Sequence, residues 1–154
     1  MDKSSSEKDL YYVAVKVFLR HKDKLLITHD IYGAWDLPGG RIRKDEFDKP
    51  LSAVIKRKVI EEIGRKVKYT LGQPLIFFRV ERVEYALGIK IRIFAIGYEA
   101  RYLGGALKLG DHHDKMEWVD LKDFHPEEYF ADGWLTGVQE YLELVGPEIL
   151  KNFI

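Results

Sequence analysis

One helical segment lies in the middle of a chain that is otherwise rich in strand-type sequence, and this arrangement limits the folds that the chain can adopt. From Pro50 to Ile63 the apolar residues recur at helical spacing. Proline is favoured at a first helical position and glycine just after a helix, and Pro50 and Gly64 mark the two ends in this way. The segment therefore predicts a helix that connects two groups of strands.

Strand-type runs precede and follow this helix. The run from Tyr11 to Arg20 is rich in β-branched and aromatic residues, and a polar turn joins it to the apolar residues 25–27, which predicts a hairpin. Three further runs lie between Val67 and Glu99, and the sequence predicts turns between them at residues 72–74 and 86–88. We expect neighbouring runs to pair antiparallel.

A second helix closes the chain. The polar, glycine-bearing stretch from Gly104 to Lys115 predicts a loop, and residues 116–121 predict a short strand after it. From Gly133 to Val145 the apolar residues again have helical spacing, which predicts a helix with one face on the sheet. Strands with one helix in the middle and one at the end predict an α+β fold with a mixed β-sheet between helices.

Length and charge limit the function classes. The 154 residues predict one domain over residues 11–154, after a flexible tail over residues 1–10. Lys and Arg total 25 and Asp and Glu also total 25, so the chain lacks the basic excess of a non-specific nucleic-acid-binding protein. No apolar run approaches the ~20 residues of a membrane helix, and the polar start lacks the apolar segment of a secretion signal. These features predict a cytoplasmic protein without nucleic-acid or membrane partners.

The central helix changes character along one face. Its first half places apolar residues on one sector: Leu51, Val54 and Ile55. One or two turns later the same sector carries Lys58, Glu61 and Glu62. Two adjacent carboxylates turned into one cleft can hold a hard cation such as Mg²⁺ through oxygen ligands. The alternative is a solvated last turn in which Arg57 pairs with Glu61 and Lys58 with Glu62, each pair contributing about 0.2–0.5 kcal/mol.

The segment from Gly33 to Gly64 carries a longer motif. It begins GAWDLPGG and ends EEIG, and it resembles the signature of the Nudix hydrolase family, G-x5-E-x7-R-E-U-x-E-E-x-G-U, in which U is a bulky apolar residue. Gly40 and Glu46 match the first part of the signature. The following positions match the second part in register: Arg57, Val59, Glu61, Glu62 and Gly64. The resemblance covers residues 11–145 and implies a Nudix-type α/β/α sandwich around a mixed sheet.

Two departures from the signature bear on the site. Ten residues separate Glu46 from Arg57 where the signature has seven, which implies a three-residue insertion before the helix. Lys58 stands where the signature has a glutamate, and Arg65 replaces the final apolar residue. An ammonium ~6 Å from a divalent ion, at an effective dielectric constant of about 20, would cost roughly 5 kcal/mol. Lys58 could pair outward with Glu62, lose its proton on burial, or hold a phosphate directly.

The resemblance implies a divalent-metal-dependent Nudix pyrophosphohydrolase that uses Mg²⁺ or Mn²⁺. Its substrate would be a small nucleotide-type molecule, a nucleoside diphosphate derivative, whose diphosphate linkage is cleaved by metal-activated water. The implied metal ligands are Glu61 and Glu62, assisted by the carbonyl of Gly40 and the carboxylate of Glu46. Arg57 would orient a carboxylate and counts with Glu61 and Glu62 as a catalytic residue.

Further candidates lie outside the acidic pair. In the loop over residues 111–114, His113 is a candidate general base, because histidine transfers protons near neutral pH; the alternative is a solvated polar turn. Lys58, Arg41 and Arg79 are candidate substrate-binding residues that would contact phosphate. The tryptophans are predicted core anchors: Trp35, Trp118 and Trp134.

A second function stays open at this point. A catalytically impaired Nudix-fold module would use the same cleft to bind a nucleotide or a protein partner, and Lys58 favours this alternative. Many members of the family are dimers, so the resemblance also implies a homodimer as one assembly.

Overall fold

The computed structural model describes residues 6–151. This part of the chain contains seven strands and two α-helices. The strands are β1 (Tyr12–His21), β2 (Lys24–Asp30), β3 (Trp35–Asp36), β4 (Gly39–Arg41), β5 (Lys68–Glu84), β6 (Ile89–Gly104) and β7 (His113–Asp120). The helices are α1 (Leu51–Ile63) and α2 (Asp132–Lys151). The predicted central helix and hairpin are both present.

All seven strands belong to one mixed sheet. Its main order is β3-β2-β1-β6-β5, with β4 pairing with β1 and β7 with β2. β1 and β6 run parallel, while the other pairs in the described chain are antiparallel. The predicted α+β fold with a mixed sheet is confirmed.

The two helices cover opposite faces of this sheet. Side chains alternate along a strand, so Val15 and Val17 of β1 share a cluster with Ile55 of α1. Phe18 points to the other face, where its ring stacks on that of Tyr141 in α2 with centroids 4.1 Å apart. Both rings are fully buried. The architecture is the predicted α/β/α sandwich.

The predicted turn at residues 72–74 is wrong. β5 runs through these residues as one long strand, and its pairing with β6 shifts register around Pro74 instead of ending there. Proline lacks a backbone N–H and is tolerated in an edge strand, and β5 is the last strand of the sheet order. The chain reverses at residues 86–88, as the sequence predicts, and the N–H groups of Leu87 and Gly88 donate there to the carbonyl of Glu84.

Several element boundaries differ from the sequence prediction, and those of β7 and α2 have identifiable reasons. β7 begins at His113, inside the predicted loop over Gly104–Lys115, because the chain already pairs with β2 from that residue onward. α2 continues past Val145 and includes Pro147. Proline removes one helical hydrogen bond, and α2 extends beyond it by about one turn.

Neither helix of the described chain has the length and apolar character that a membrane-spanning helix needs. Residues 1–5, which belong to the predicted tail, and residues 152–154 lie outside the described part. The flexible tail over residues 1–10, the single domain over residues 11–154, the cytoplasmic location and the homodimer stay predictions.

Candidate active site

Two glycines bring the backbone of β4 against β1 and α1. In the β1–β4 ladder, Gly39 pairs with Lys16 and Gly40 with Val15. Gly39 has a φ of +136°, which favours glycine, and a Cβ there would collide with the backbone of Val15. A Cβ on Gly40 would collide with the side chain of Lys58 in α1. Gly39 therefore allows the close pairing of β4 with β1, and Gly40 leaves space for the end of the Lys58 side chain beside the turn.

Backbone donors fix the C-terminal end of α1. The N–H of Gly39 donates to Oε2 of Glu62 at 2.9 Å, which turns this buried carboxylate toward the glycine turn. The N–H groups of Lys108 and Gly110 donate to carbonyls in the last turn of α1, at 2.9 and 3.0 Å, and so satisfy the helix end. The loop that supplies these donors leads directly into His113. The cap thus brings the predicted histidine to the predicted acids.

These contacts form one wall of a cavity of about 350 Å³. Six residues that the sequence proposes line it: Gly40, Arg41, Lys58, Glu61, Glu62 and His113. The wall also contains Arg82 and residues that sequence reasoning does not propose for the site, among them Lys16, Tyr32, Asp36, Tyr85 and Trp134. The structure therefore brings most of the predicted site together in one polar cavity.

A larger cavity, of about 700 Å³, lies at the other end of β1 around Arg20 and Glu99. These two side chains pair at 3.2 Å, and burial raises the pKa of Glu99. None of the residues that the sequence proposes for the site lines this cavity. We therefore place the candidate site in the smaller one.

The ammonium of Lys58 lies between the two acids at the end of α1. Its Nζ is 3.3 Å from Glu61 Oε2 and 3.3 Å from Glu62 Oε1. The structure has the pair with Glu62 that the sequence leaves open for Lys58, but the side chain lies in the cavity wall and is not turned outward, and it also pairs with Glu61. Burial opposes ionisation of Glu61, but the hydrogen bond from Arg57 and the charge of Lys58 outweigh it and lower the pKa of Glu61. Basic side chains of α1 thus neutralise both acids.

Arg57 and Glu46 form a largely buried bidentate pair. Arg57 donates from Nε to Glu46 Oε2 at 2.8 Å and from Nη2 to Oε1 at 2.7 Å, and the N–H of Arg43 also donates to Oε1. The hydrogen bonds from Arg57 outweigh burial and lower the pKa of Glu46 from 4.5 to about 2. Both oxygens of Glu46 hold Arg57, whose Nη1 in turn lies 3.2 Å from both oxygens of Glu61. The role of Glu46 as a metal ligand stays a prediction.

Arg41 and His113 both line the cavity, but their surroundings differ. Arg41 pairs with Glu84 at 2.7 Å, and its guanidinium lies over the ring of Tyr12. His113 is half-buried, and its Nδ1 is buried without a hydrogen-bond partner among the described residues. His113 therefore lines the cavity with part of its ring, while its Nδ1 lies on the buried side of the ring without a partner.

Arg79, a predicted phosphate contact, does not line the cavity. Its Nη1 lies 3.4 Å from the hydroxyl of Tyr11. Side chains alternate between the two faces of β5. The buried Phe78 and Val80 lie on the face opposite to Arg79, and Arg82 lies on the same face as these two residues. Arg82 lines the cavity instead. The alternation of apolar residues in β5 is the sequence signal that distinguishes the two arginines.

Lys16 is a buried lysine that sequence reasoning misses. It is 5% exposed, and its Nζ donates to both oxygens of Asp36, at 3.0 and 3.1 Å, and to the carbonyls of Leu37 and Gly39. The ammonium also lies 5.0 Å from the ring centre of Trp134, which is half-buried in the cavity wall. Lys16 thus fixes the segment that leads into the glycine turn. Its place in the apolar run of β1 is the only signal of this role that the sequence offers.

The donors at the helix end suit a metal ion only in part. Among the described residues, no three acidic or histidine side chains are grouped so that they could hold a metal ion. The donor set is two carboxylates, from Glu61 and Glu62, beside the backbone of Gly40. Mg²⁺ is commonly held by one or two carboxylates together with substrate phosphates. These residues therefore fit a divalent ion that is shared with a phosphate ligand.

Comparisons with known proteins identify the family. A family model described as the NUDIX domain matches residues 10–136. The chain belongs to the Nudix family. A MutT protein from Methanosarcina mazei Go1 has the same fold, with 22% sequence identity over 93% of this chain and 98% of that chain and a TM-score of 0.68. An ADP-ribose pyrophosphatase from Streptococcus suis 89-1591 has 16% identity over 88% of this chain and 92% of that chain, with a TM-score of 0.62.

Membership of the Nudix family supports a Nudix-type hydrolase, and Nudix hydrolases generally use a divalent metal ion. A comparison with curated protein sequences found no match. At 16–22% identity the solved structures show the fold of this Nudix protein alone. The residues of the cavity, and not these structures, bear on its substrate.

The Glu46→Gln change tests the buried pair with Arg57. The pKa of Glu46 is lowered on folding, so its ionised form stabilises the protein above about pH 4.5, and this contribution is lost as the pH falls toward about 2. We expect the Glu46→Gln protein to be less stable than the natural protein at pH 7, and to lose less free energy of unfolding between about pH 5 and about pH 2. Urea unfolding over this pH range measures both quantities.

The matched control is Asp45→Asn, because Asp45 is exposed and pairs only with the exposed Arg43 among the described residues. This variant should keep the acid sensitivity of the natural protein. If Glu46→Gln lost as much stability in acid as the natural protein, the pair would not have the electrostatic role assigned to it.

Proposed function

We propose that this Nudix protein hydrolyses a diphosphate linkage in a nucleoside diphosphate derivative, with Mg²⁺ or Mn²⁺ as cofactor. The observation that carries the proposal is that Glu61, Glu62 and Gly40 line the same cavity as Arg82. The acids offer oxygen ligands for a divalent ion, and the arginine offers a planar cation for phosphate. A metal-bound diphosphate needs both kinds of group.

Glu61, Glu62 and the carbonyl of Gly40 would hold the metal ion together with oxygens of the diphosphate. A bound divalent ion lowers the pKa of the attacking water and neutralises charge that develops on the phosphate oxygens. Arg57 holds Glu61 and the N–H of Gly39 holds Glu62, so both carboxylates are oriented before a ligand binds. Such orientation reduces the entropy that the reaction must lose.

Lys58 changes partners in this proposal. Its ammonium is a compact charge on a flexible stem, and it balances Glu61 and Glu62 from 3.3 Å when no ligand is bound. When the metal ion and the diphosphate bind, Lys58 turns to a phosphate oxygen. The negative charge of the diphosphate, which lies between the ammonium and the metal ion, then offsets the roughly 5 kcal/mol of repulsion that an ammonium ~6 Å from a divalent ion would cause. Metal binding and substrate binding therefore depend on each other.

The reaction is a hydrolysis at phosphorus. The oxygen of a water molecule forms a bond to one phosphorus of the diphosphate, while the bond from that phosphorus to the bridging oxygen breaks. His113, which lines the cavity, is the proposed acceptor of the proton of the water, and the leaving phosphate carries the negative charge away. Lys58 and Arg82 stabilise that charge as it develops.

The Glu62→Gln change tests the role of the acid pair. Glutamine keeps the shape of the side chain and can still accept the hydrogen bond from Gly39, but it lacks the negative charge that binds a divalent ion. We expect hydrolysis of nucleoside diphosphate derivatives in Mg²⁺ to fall by about 100-fold or more, measured by chromatography of the products. The Glu140→Gln protein should keep the natural rate, because Glu140 is exposed on α2 outside the cavity. A Glu62→Gln protein as active as the natural one would contradict the proposal.

The contacts of Lys58 favour a second candidate function. With its ammonium 3.3 Å from Glu61 and from Glu62, the internal charge balance resembles that of a site with a bound cation. A protein whose acids are neutralised by its own lysine can bind a nucleoside diphosphate through its basic groups without hydrolysing it. The second candidate is therefore a Nudix-fold module that binds a nucleotide without turnover.

Variants of Lys58 separate the two candidates. Lys58→Met removes the ammonium, and we expect the Mn²⁺ affinity of the nucleotide-free protein to rise by about tenfold or more, measured by the electron paramagnetic resonance signal of free Mn²⁺. The Lys56→Met protein should keep the natural affinity, because Lys56 is exposed on the same helix outside the cavity. An unchanged affinity in Lys58→Met would contradict the proposed competition. Nucleotide binding without turnover by the natural protein, with turnover by Lys58→Glu, would favour the binding module over the hydrolase.

A further inference from the structure

Two exposed tyrosines are in contact at the mouth of the candidate site. Tyr32 comes from the loop between β2 and β3 and Tyr85 from the turn between β5 and β6, and they are 64% and 69% exposed. Their rings are stacked, with centroids 5.5 Å apart and planes 25° apart. Large aromatic side chains that remain this exposed are typical of a binding surface. Both residues line the cavity that contains Glu61 and Glu62.

The backbone around each tyrosine is held in place. Oδ1 of Asp30 accepts hydrogen bonds from the N–H groups of Tyr32 and Ala34, at 2.9 and 3.1 Å. The turn that carries Tyr85 is closed by the two hydrogen bonds to the carbonyl of Glu84 described above. A ligand that stacks on these rings therefore loses little free energy in ordering the loops.

A second, smaller cavity of about 210 Å³ lies beside the tyrosines. Its wall includes Trp35 and Trp134, and Tyr32, Tyr85 and Arg82 line both this side cavity and the main one. An aromatic surface thus continues from the acid pair into the side cavity. A ligand that is anionic at one end and aromatic at the other fits this distribution of groups.

Arg82 lies between the charged and the aromatic parts of this surface. Its side chain is exposed and has no hydrogen-bond or ion-pair partner within residues 6–151, whereas the side chain of Arg41 in the same wall is paired with Glu84. An arginine without a protein partner, beside two tyrosine rings, is available to a phosphate oxygen of a ligand that also stacks on the rings.

We propose that Tyr32 and Tyr85 bind the aromatic base of a nucleotide, while Arg82 and the end of α1 bind its diphosphate. The side cavity takes the part of the base that extends beyond the rings. This inference rests on the proposed function for the position of the diphosphate, and it adds the reason why the ligand is a nucleotide rather than a diphosphate without a base. Stacking accepts any base, so the tyrosines select for the presence of a base and not for its identity.

Calorimetric binding tests the proposal without requiring turnover. The probes are ADP, GDP, CDP and UDP, compared with inorganic pyrophosphate, which has no base. We expect the natural protein to bind at least one nucleoside diphosphate more tightly than pyrophosphate, and Tyr85→Ala to weaken that binding by about fivefold to 150-fold with pyrophosphate binding unchanged. Tyr85→Phe keeps the ring and should keep the affinity. Leu87→Ala is the matched control, because Leu87 is exposed in the same turn but does not line either cavity.

The outcomes separate this inference from the proposed function. A protein without hydrolytic activity that still loses nucleotide affinity in Tyr85→Ala, and keeps it in Tyr85→Phe, would support the base site and count against the hydrolase. A natural protein that binds nucleoside diphosphates no more tightly than pyrophosphate would overturn the base site. Equal losses for nucleotide and pyrophosphate in Tyr85→Ala would also overturn it, even if diphosphates were hydrolysed.

Discussion

The close approach of α1 to the glycine turn of β4 is the contact on which the candidate site depends. Gly39 has no room for a Cβ, because the backbone of β1 lies against it, and the end of the Lys58 side chain lies against Gly40. This approach lets the N–H of Gly39 bind Glu62, while the loop before β7 caps the same helix end. Backbone geometry, and not a long-range charge effect, therefore brings the acids, the histidine loop and the glycine turn to one cavity.

Charge balance at the end of α1 determines what this cavity can bind. The guanidinium of Arg57 donates hydrogen bonds to Glu46 and to Glu61. It therefore orients Glu61 but is not free to bind a ligand. Lys58 has no bidentate partner and neutralises Glu61 and Glu62 through one contact with each. An ammonium can leave two carboxylates when a divalent ion replaces its charge and a diphosphate offers it new oxygens. Under the proposed function, the departure from the family signature would act on the coupling between metal and substrate.

Much of the fold could be predicted from local sequence, but the walls of the site could not. Periodicity and end residues located α1, and the order of elements predicted the sandwich, because both depend on neighbouring residues. The turn predicted at residues 72–74 was wrong, since pairing along a sheet edge outweighed the local signal of Pro74. Arg79 was preferred to Arg82 as a phosphate contact, but positions an odd number apart point to opposite faces of a strand, and Arg82 is the one that lines the cavity. Lys16 was missed because its partners come from a distant segment.

A crystal structure of the natural protein with Mn²⁺ and a non-hydrolysable nucleoside diphosphate analogue tests the central claim most directly. We expect anomalous density for Mn²⁺ at Glu61 and Glu62, shared with oxygens of the diphosphate, and the Lys58 ammonium displaced from both acids onto a phosphate oxygen. If Lys58 still lay between the two carboxylates, with the analogue bound and no Mn²⁺ beside them, the proposed exchange of charges and the metal-dependent hydrolysis that rests on it would be contradicted.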